Sequence, residues 1–233
     1  MVRFLRFAAS FLFFPFVWAL CLTLADSFLL MPGSGRGLLS AESIALFAGL
    51  LAFPLLWPAM PASVKIYILG HELTHALWAL VFGARVGSLK VGSRGGSVAV
   101  SKSNVWITLA PYFFPFWTAA VGLLALAVRA VMCFVRPDSL FPAPWLWMFA
   151  VGFTWSFHAC FTVKSLMQTQ PDVQEYGRVF SWTLILTMNL LGILLWIVCT
   201  TDAPVKELLS VLANNTAAVY LKVVGLIAGI CSK

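Results

Sequence analysis

Charged residues are scarce in this chain of 233 residues. Only 10% of the residues are Asp, Glu, Lys or Arg, whereas 61% are hydrophobic, and the mean hydropathy is +0.96. A soluble domain of this size needs a more polar surface, so the composition excludes that class. Several long apolar runs instead predict an all-α polytopic protein of the lipid bilayer, with about six transmembrane helices.

Acidic residues are also few, and closely spaced cysteine pairs are absent from the sequence. The chain has 8 acidic and 15 basic residues, and its net charge of +7 is spread over short loops. This charge suits contact with anionic lipid heads, and no basic patch for nucleic acid is present. The five cysteines are scattered without a CxxC pair. Neither a disulfide framework nor a cysteine zinc site is therefore indicated.

Two of the three histidines fall in one motif, HELTH, inside the apolar run of residues 62–82. On a helix His71 and His75 lie on one face, where both imidazoles can bind one metal ion. Glu72 is placed to accept a proton from a metal-bound water. Ionisable groups are costly in hydrocarbon, so the motif predicts a functional site. The alternative, two histidines bonded to nearby backbone, leaves the buried carboxylate unexplained.

A third metal ligand is expected, because a catalytic zinc usually has three protein ligands and one open position. The candidates are His158, Asp172 and Glu175. We favour Asp172, which follows a proline that breaks the preceding helix. The alternative for this residue is a capping box with Glu175 at the start of the next long helix. The alternatives for His158 are a ligand, a second-shell residue, a contact with the reacting carbonyl, or a core histidine.

Residues 83–103 form a more polar segment between two apolar runs. Valines flank Gly95 and Gly96, a pattern that predicts a β-hairpin. One interpretation is a solvated connection between helices. The other is an edge strand that pairs with an extended substrate, which makes the two glycines candidate substrate-binding residues.

The apolar run of residues 104–135 is predicted as one span, and prolines interrupt its aromatic start. Proline leaves a helix carbonyl without its partner and often marks a kink that lines a cavity, so Pro111 is a candidate substrate-binding residue. The alternative is a kinked aromatic belt at the membrane interface. Asn104 either binds substrate or caps this helix.

These residues together resemble the site-2 protease family of intramembrane zinc metalloproteases. The matching parts are His71-Glu72-Leu73-Thr74-His75, the hairpin with Gly95-Gly96, and Gln170-Pro171-Asp172. The family motif typically reads Asn-Pro-Asp-Gly or Leu-Asp-Gly and provides an aspartate ligand. This chain keeps the Pro-Asp and has other residues on both sides. The resemblance covers residues 62–200.

The resemblance implies one Zn²⁺ per chain, with His71, His75 and Asp172 as ligands and Glu72 as the general base. The substrate would be a membrane protein or peptide, cleaved in or near a transmembrane segment. We interpret residues 1–233 as a single domain of minimal type, without the PDZ-like or CBS-like domains of some family members.

Within this domain we expect two leading spans in residues 1–60 and the catalytic core in residues 62–200. Residues 201–233 are predicted as an interfacial amphipathic helix, with a seventh span as the alternative. The N-terminal run is longer than a signal peptide core and lacks a clean cleavage site, so we expect a retained first span.

Two groups of basic residues predict opposite orientations of the protein in the membrane. Basic residues of segment 83–103 favour an active site toward the cytoplasm, as the resemblance implies for a plasma or inner membrane protein. Arg3 and Arg6 near the N-terminus favour the opposite arrangement.

Two other functions are compatible with the composition. A metal or small-solute transporter would bind its cargo through the histidines, but it predicts polar residues along several spans. A catalytically inactive scaffold would bind a membrane partner, but it has no need of a general base such as Glu72.

Overall fold

The computed structural model describes residues 2–29, 40–92, 95–135, 142–200 and 205–231. Within these ranges the protein is mostly helical, and its sheet is one antiparallel hairpin. Six helices of the described part are long and apolar enough to cross a membrane. The predicted fold class, a helical membrane protein with a short hairpin after the HELTH helix, is confirmed.

The elements follow one another along the chain with short connections. They are α1 (Val2–Leu29), α2 (Ala41–Leu56), α3 (Ser63–Val81), β1 (Val86–Val91), β2 (Gly96–Val100), α4 (Val105–Leu109), α5 (Phe116–Val135), α6 (Pro144–Leu166), α7 (Pro171–Tyr176), α8 (Arg178–Thr200) and α9 (Val205–Cys231). Short 3₁₀ turns follow α2 and α4, at Trp57–Ala59 and Ala110–Tyr112.

The candidate spans in the described part differ in three places from those expected, and the third difference, in residues 104–135, is described below. They are Leu5–Ser27, Ala41–Ala59, Phe116–Val135, Pro144–Leu166, Arg178–Val198 and Val205–Ile230. Helix α3 is not among them, because the polar side chains of its motif lower its hydropathy. Helix α9 is among them, which favours the alternative of a span over an interfacial helix. Its polar residues leave an apolar window long enough to cross a bilayer.

The chain forms two compact units, which we call the terminal unit (residues 1–37 and 171–233) and the central unit (residues 38–170). In the terminal unit α1 packs against α8 and α9, and Leu20, Leu194 and Leu208 form a buried cluster. The side-chain amide of Asn215 donates to a carboxylate oxygen of Asp26 at 2.8 Å, and this polar bond ties α9 to α1.

The central unit is built on the pair α2 and α6, whose backbones meet at two glycines. A β-carbon on Gly49 would lie 2.2 Å from the carbonyl oxygen of Phe149. A β-carbon on Gly152 would lie 2.2 Å from the carbonyl oxygen of Leu46. Small residues let membrane helices approach closely, so these glycines set the distance between the two helices. Phe53 fills the space beside this contact together with aromatic residues of α6.

The run of residues 104–135 does not form one kinked span, so that expectation is wrong. The buried half-helix α4 ends in the 3₁₀ turn at Ala110–Tyr112, and α5 begins separately at Phe116. Proline disrupts helical hydrogen bonding, and two prolines, Pro111 and Pro115, fall at this break. Side chains from Ile107 to Phe113 are buried, so the irregular backbone lies inside protein, as a membrane protein requires.

The contact between α2 and α6 predicts a stability effect. In Gly152→Ala the new methyl group meets backbone atoms of Leu46 and Leu50, which cannot rotate away as a side chain can. We expect a loss of about 1–3 kcal/mol, typical of overpacking, measured as a lower thermal unfolding temperature in detergent.

The matched control is Gly122→Ala on α5, where a β-carbon would meet no atom within 4 Å. This variant should keep or slightly raise the unfolding temperature, because alanine favours a helix over glycine by about 1 kcal/mol. Equal unfolding temperatures for the two variants would contradict the proposed close packing.

Candidate metal site

Helix α3 carries the two motif histidines on one face, as the spacing predicts. A ring nitrogen of His71 and one of His75 lie within 4.8 Å of each other. Their ring centroids are 4.9 Å apart, with the planes nearly perpendicular at 79°. Both side chains are half-buried. The pair can therefore converge on one ion from a single stretch of helix.

His75 is oriented by a backbone carbonyl outside its own helix. Its Nδ1 lies 2.8 Å from the carbonyl oxygen of Ile107 in α4. Because a carbonyl oxygen can only accept, Nδ1 must donate, and the neutral ring then has its lone pair on Nε2. Metal-binding histidines usually show this arrangement, with one nitrogen on the ion and the other N–H held by a carbonyl or carboxylate.

His71 is surrounded by aromatic side chains. The hydroxyl oxygen of Tyr67, one turn earlier on α3, is 3.5 Å from its Nδ1 and 3.2 Å from the hydroxyl oxygen of Ser165. The ring of Tyr67 stacks on Phe161 with centroids 4.6 Å apart. The ring of Tyr112 meets His71 edge-on at 5.2 Å. These contacts restrict the rotation of the His71 ring.

Glu72 is buried, with 7% of its surface exposed, and its side chain lies against the backbone of strand β2. A β-carbon on Gly96 would lie 2.6 Å from Cγ and 2.9 Å from Oε1 of Glu72. Only glycine therefore fits at this position without displacing the carboxylate. The sequence singled out Gly96 as a candidate substrate-binding residue, and the structure adds its close approach to Glu72. A β-carbon on the neighbouring Gly95 would meet no atom within 4 Å.

The hairpin itself has the predicted form. Strands β1 and β2 pair in antiparallel register, with Leu89 opposite Val98 and Val91 opposite Gly96. The base of the hairpin joins α3 through the buried cluster of Ala79, Ala84 and Ile107, against which hairpin valines pack.

His158 lies in α6 and is buried, with 7% of its surface exposed. Its Nε2 has no hydrogen-bond partner among the described residues. It lines a small pocket together with His71, Pro111 and Trp117, with room for about one water molecule. Among the described residues His158 does not complete a compact three-ligand group with His71 and His75. The geometry therefore favours a place beside the two motif histidines over a place in one ligand group with them.

Asp172 belongs to the terminal unit, where it occupies the first turn of the short helix α7. Glu175 lies in the same helix. Gly177, with φ of +93°, separates α7 from α8, which begins at Arg178. The interpretation of Asp172 and Glu175 as a capping box at the start of the next long helix is therefore wrong. The role of Asp172 as a metal ligand stays a prediction.

Asn104 caps α4, which is one of the two roles left open by its sequence. Its side-chain oxygen accepts hydrogen bonds from the backbone N–H groups of Trp106 at 3.0 Å and Ile107 at 2.9 Å. The cap fixes the start of the half-helix that presents the Ile107 carbonyl to His75. Binding of substrate by Asn104 stays a prediction.

Three contributors to the site were not identified from the sequence: Ile107, Tyr67 and Trp117. The indole N–H of Trp117 donates to the carbonyl oxygen of Ile66 on α3 at 3.2 Å. The spacing of Tyr67, four residues before His71, was an available signal, because such residues share a helix face. A backbone carbonyl cannot be singled out by its own side chain. Pro111, four residues after Ile107, nevertheless indicates that the Ile107 carbonyl lacks its helical N–H partner.

The two imidazoles of the central unit suit a divalent transition metal, of which zinc is one. Zinc prefers imidazole nitrogen, and the carbonyl bond of His75 prepares the tautomer that binds it. Comparison of the chain with protein-family models, with curated proteins and with solved structures finds no match. Its functional interpretation therefore depends on the residues of the site.

Proposed function

We propose that this protein is an intramembrane zinc metalloprotease, similar to the site-2 protease family, which hydrolyses a peptide bond in or near a transmembrane segment of its substrate. One observation carries the proposal. The two histidines of an HExxH helix lie together beside a buried glutamate, and one histidine is held by a carbonyl in the metal-binding tautomer. Placing a buried carboxylate and two half-buried imidazoles together in an apolar helix has no structural benefit that would offset its cost.

The proposed mechanism assigns one role to each group. His71 and His75 would hold the ion, and the resemblance implies that Asp172 would be the third ligand. When bound, zinc supplies Lewis-acid activation of a water molecule and of the scissile carbonyl. Glu72 accepts the proton of the attacking water and passes it to the leaving amine. Its burial keeps bulk water from competing for this proton.

The hairpin supports a role in substrate binding. Strand β2 pairs with β1 on one side and lies against Glu72. An unwound substrate segment needs partners for its backbone groups in the bilayer, and a strand edge supplies them. In this proposal Gly95, Gly96, Asn104 and Pro111 border the path of the substrate.

The competing functions make different demands on the site. A transporter must release its cargo, so a bound metal that exchanges readily with added metal would favour this function. A scaffold binds a partner and catalyses no reaction, so a protein that purifies without metal would favour this function. A protease is favoured by one tightly held zinc, since catalysis needs a resident ion with an open position.

Zinc content tests the ligand set. We expect about one zinc per chain in the protein purified in detergent, as one HExxH site implies. His75→Ala and Asp172→Ala should lose it, whereas His158→Ala should keep it. Metal lost with His158→Ala and kept with Asp172→Ala would contradict the assignment. Wild-type protein without zinc would argue against the protease altogether.

Glu72→Gln tests the general base. The amide has nearly the same shape but cannot accept the proton, so zinc should remain while cleavage of labelled single-span membrane peptides falls by about 10²–10⁴-fold. Wild-type protein treated with a chelator is the negative control. Undiminished cleavage by the zinc-loaded variant would remove Glu72 from this role.

Gly96→Ala tests the contact between β2 and the carboxylate. The methyl group has no room unless Glu72 or the strand moves, so we expect turnover to fall about tenfold to a hundredfold with zinc retained. Gly122→Ala on α5 is the control, because its β-carbon would also meet no atom within 4 Å and the residue lies outside the hairpin and the motif helix. Equal turnover in the two variants would show that the contact has no role in catalysis.

A further inference from the structure

The carbonyl that holds His75 is one that its own helix cannot use. In an α-helix the carbonyl oxygen of residue 107 accepts the N–H of residue 111. Residue 111 is proline, which has no N–H. The preceding helical bonds are present, with the N–H of Thr108 on Asn104 and the N–H of Ala110 on Trp106. The regular ladder therefore stops at Ile107.

The imidazole of His75 supplies a hydrogen-bond donor to this carbonyl in the absence of the helical N–H. Its Nδ1 reaches the Ile107 oxygen at 2.8 Å, across 32 positions of sequence. The residues around this oxygen are buried, with Ile107 at 1% exposure and Tyr112 at 0%. Buried carbonyls need a donor, and the Nδ1–H of His75 is the donor supplied here.

An N–H at position 111 would compete with the imidazole. A carbonyl oxygen can accept two hydrogen bonds, but a helical N–H lies along the helix axis, and the imidazole comes from another element. A second donor would draw the oxygen toward the axis and reduce its charge toward His75. The ring would then lose part of its preference for the proton on Nδ1.

We propose that Pro111 determines which nitrogen of His75 binds the metal. By withholding an N–H from Ile107, it directs that carbonyl to Nδ1 and makes Nε2 the ligand nitrogen. Pro111 is thus a positioning residue that acts through a backbone carbonyl. The metal-binding consequence rests on the proposed function, whereas the choice of tautomer does not.

The test is side-chain ¹⁵N NMR of the metal-free protein in detergent, at about pH 8, which is above the pKa of free imidazole. The chain has three histidines, so substitution of each assigns the ring signals. In the wild type we expect His75 to carry its proton on Nδ1. In Pro111→Ala the Nε2–H form should gain population, and the zinc dissociation constant should rise about tenfold to a hundredfold.

Two controls separate the N–H from other effects of the substitution. The ester version of Pro111→Ala, made with an α-hydroxy acid, lacks both the ring and the N–H and should behave as the wild type. Pro115→Ala changes the other proline of this break and should leave the tautomer of His75 unchanged.

Three outcomes would overturn the proposal. The first is wild-type His75 with its proton on Nε2, which decides the matter even where Pro111→Ala fails to fold. The second is an unchanged tautomer in Pro111→Ala. The third is an equal shift in the amide and ester variants, which would assign the effect to the ring. A wild type with the expected tautomer and no affinity for zinc would instead overturn the protease and leave this inference in place.

Discussion

The hydrogen bond between His75 and the carbonyl of Ile107 is the constraint on which the geometry of the candidate metal site depends. Polar groups in an apolar bundle cannot rely on water, so each needs a partner from the protein. The partner of His75 is a carbonyl of the half-helix α4, which begins after Asn104 and ends before Pro111. A longer or more regular helix would have used the carbonyl itself. The interruption of the helix at Pro111 is thus what leaves the carbonyl free to orient His75.

Close approach of backbones is the second requirement, and glycine meets it at different levels. Gly49 and Gly152 let α2 and α6 touch, which holds α6 and its buried histidine in place. Gly96 lets strand β2 lie on the carboxylate of Glu72. A methyl group would collide with backbone atoms at Gly49 and Gly152, and with side-chain atoms of Glu72 at Gly96. Helix packing and the geometry of the site therefore both depend on the absence of a β-carbon in glycine.

The local parts of this structure were predictable and the tertiary parts were not. The HELTH spacing predicted a helix with both histidines on one face, and the valines around Gly95 predicted the hairpin. The split of residues 104–135 into α4 and α5 was missed, because a proline in an apolar run is compatible with a kink or a break, and only packing decides. The separate helix α7 was missed because the positive φ of Gly177, which ends it, has no unique sequence signal.

Within the proposed function, the restricted side chains of the motif are an argument for catalysis over transport. Release of a cargo ion is easiest when its ligands can turn away, whereas His71 is enclosed by aromatic rings and His75 is tied to a carbonyl. Ligands held in this way lose little entropy on binding an ion, which favours a resident metal. A buried glutamate beside them costs free energy through desolvation, whatever its effect on the ion. The cost is understandable where the carboxylate moves a proton, and a hydrolytic reaction supplies that need.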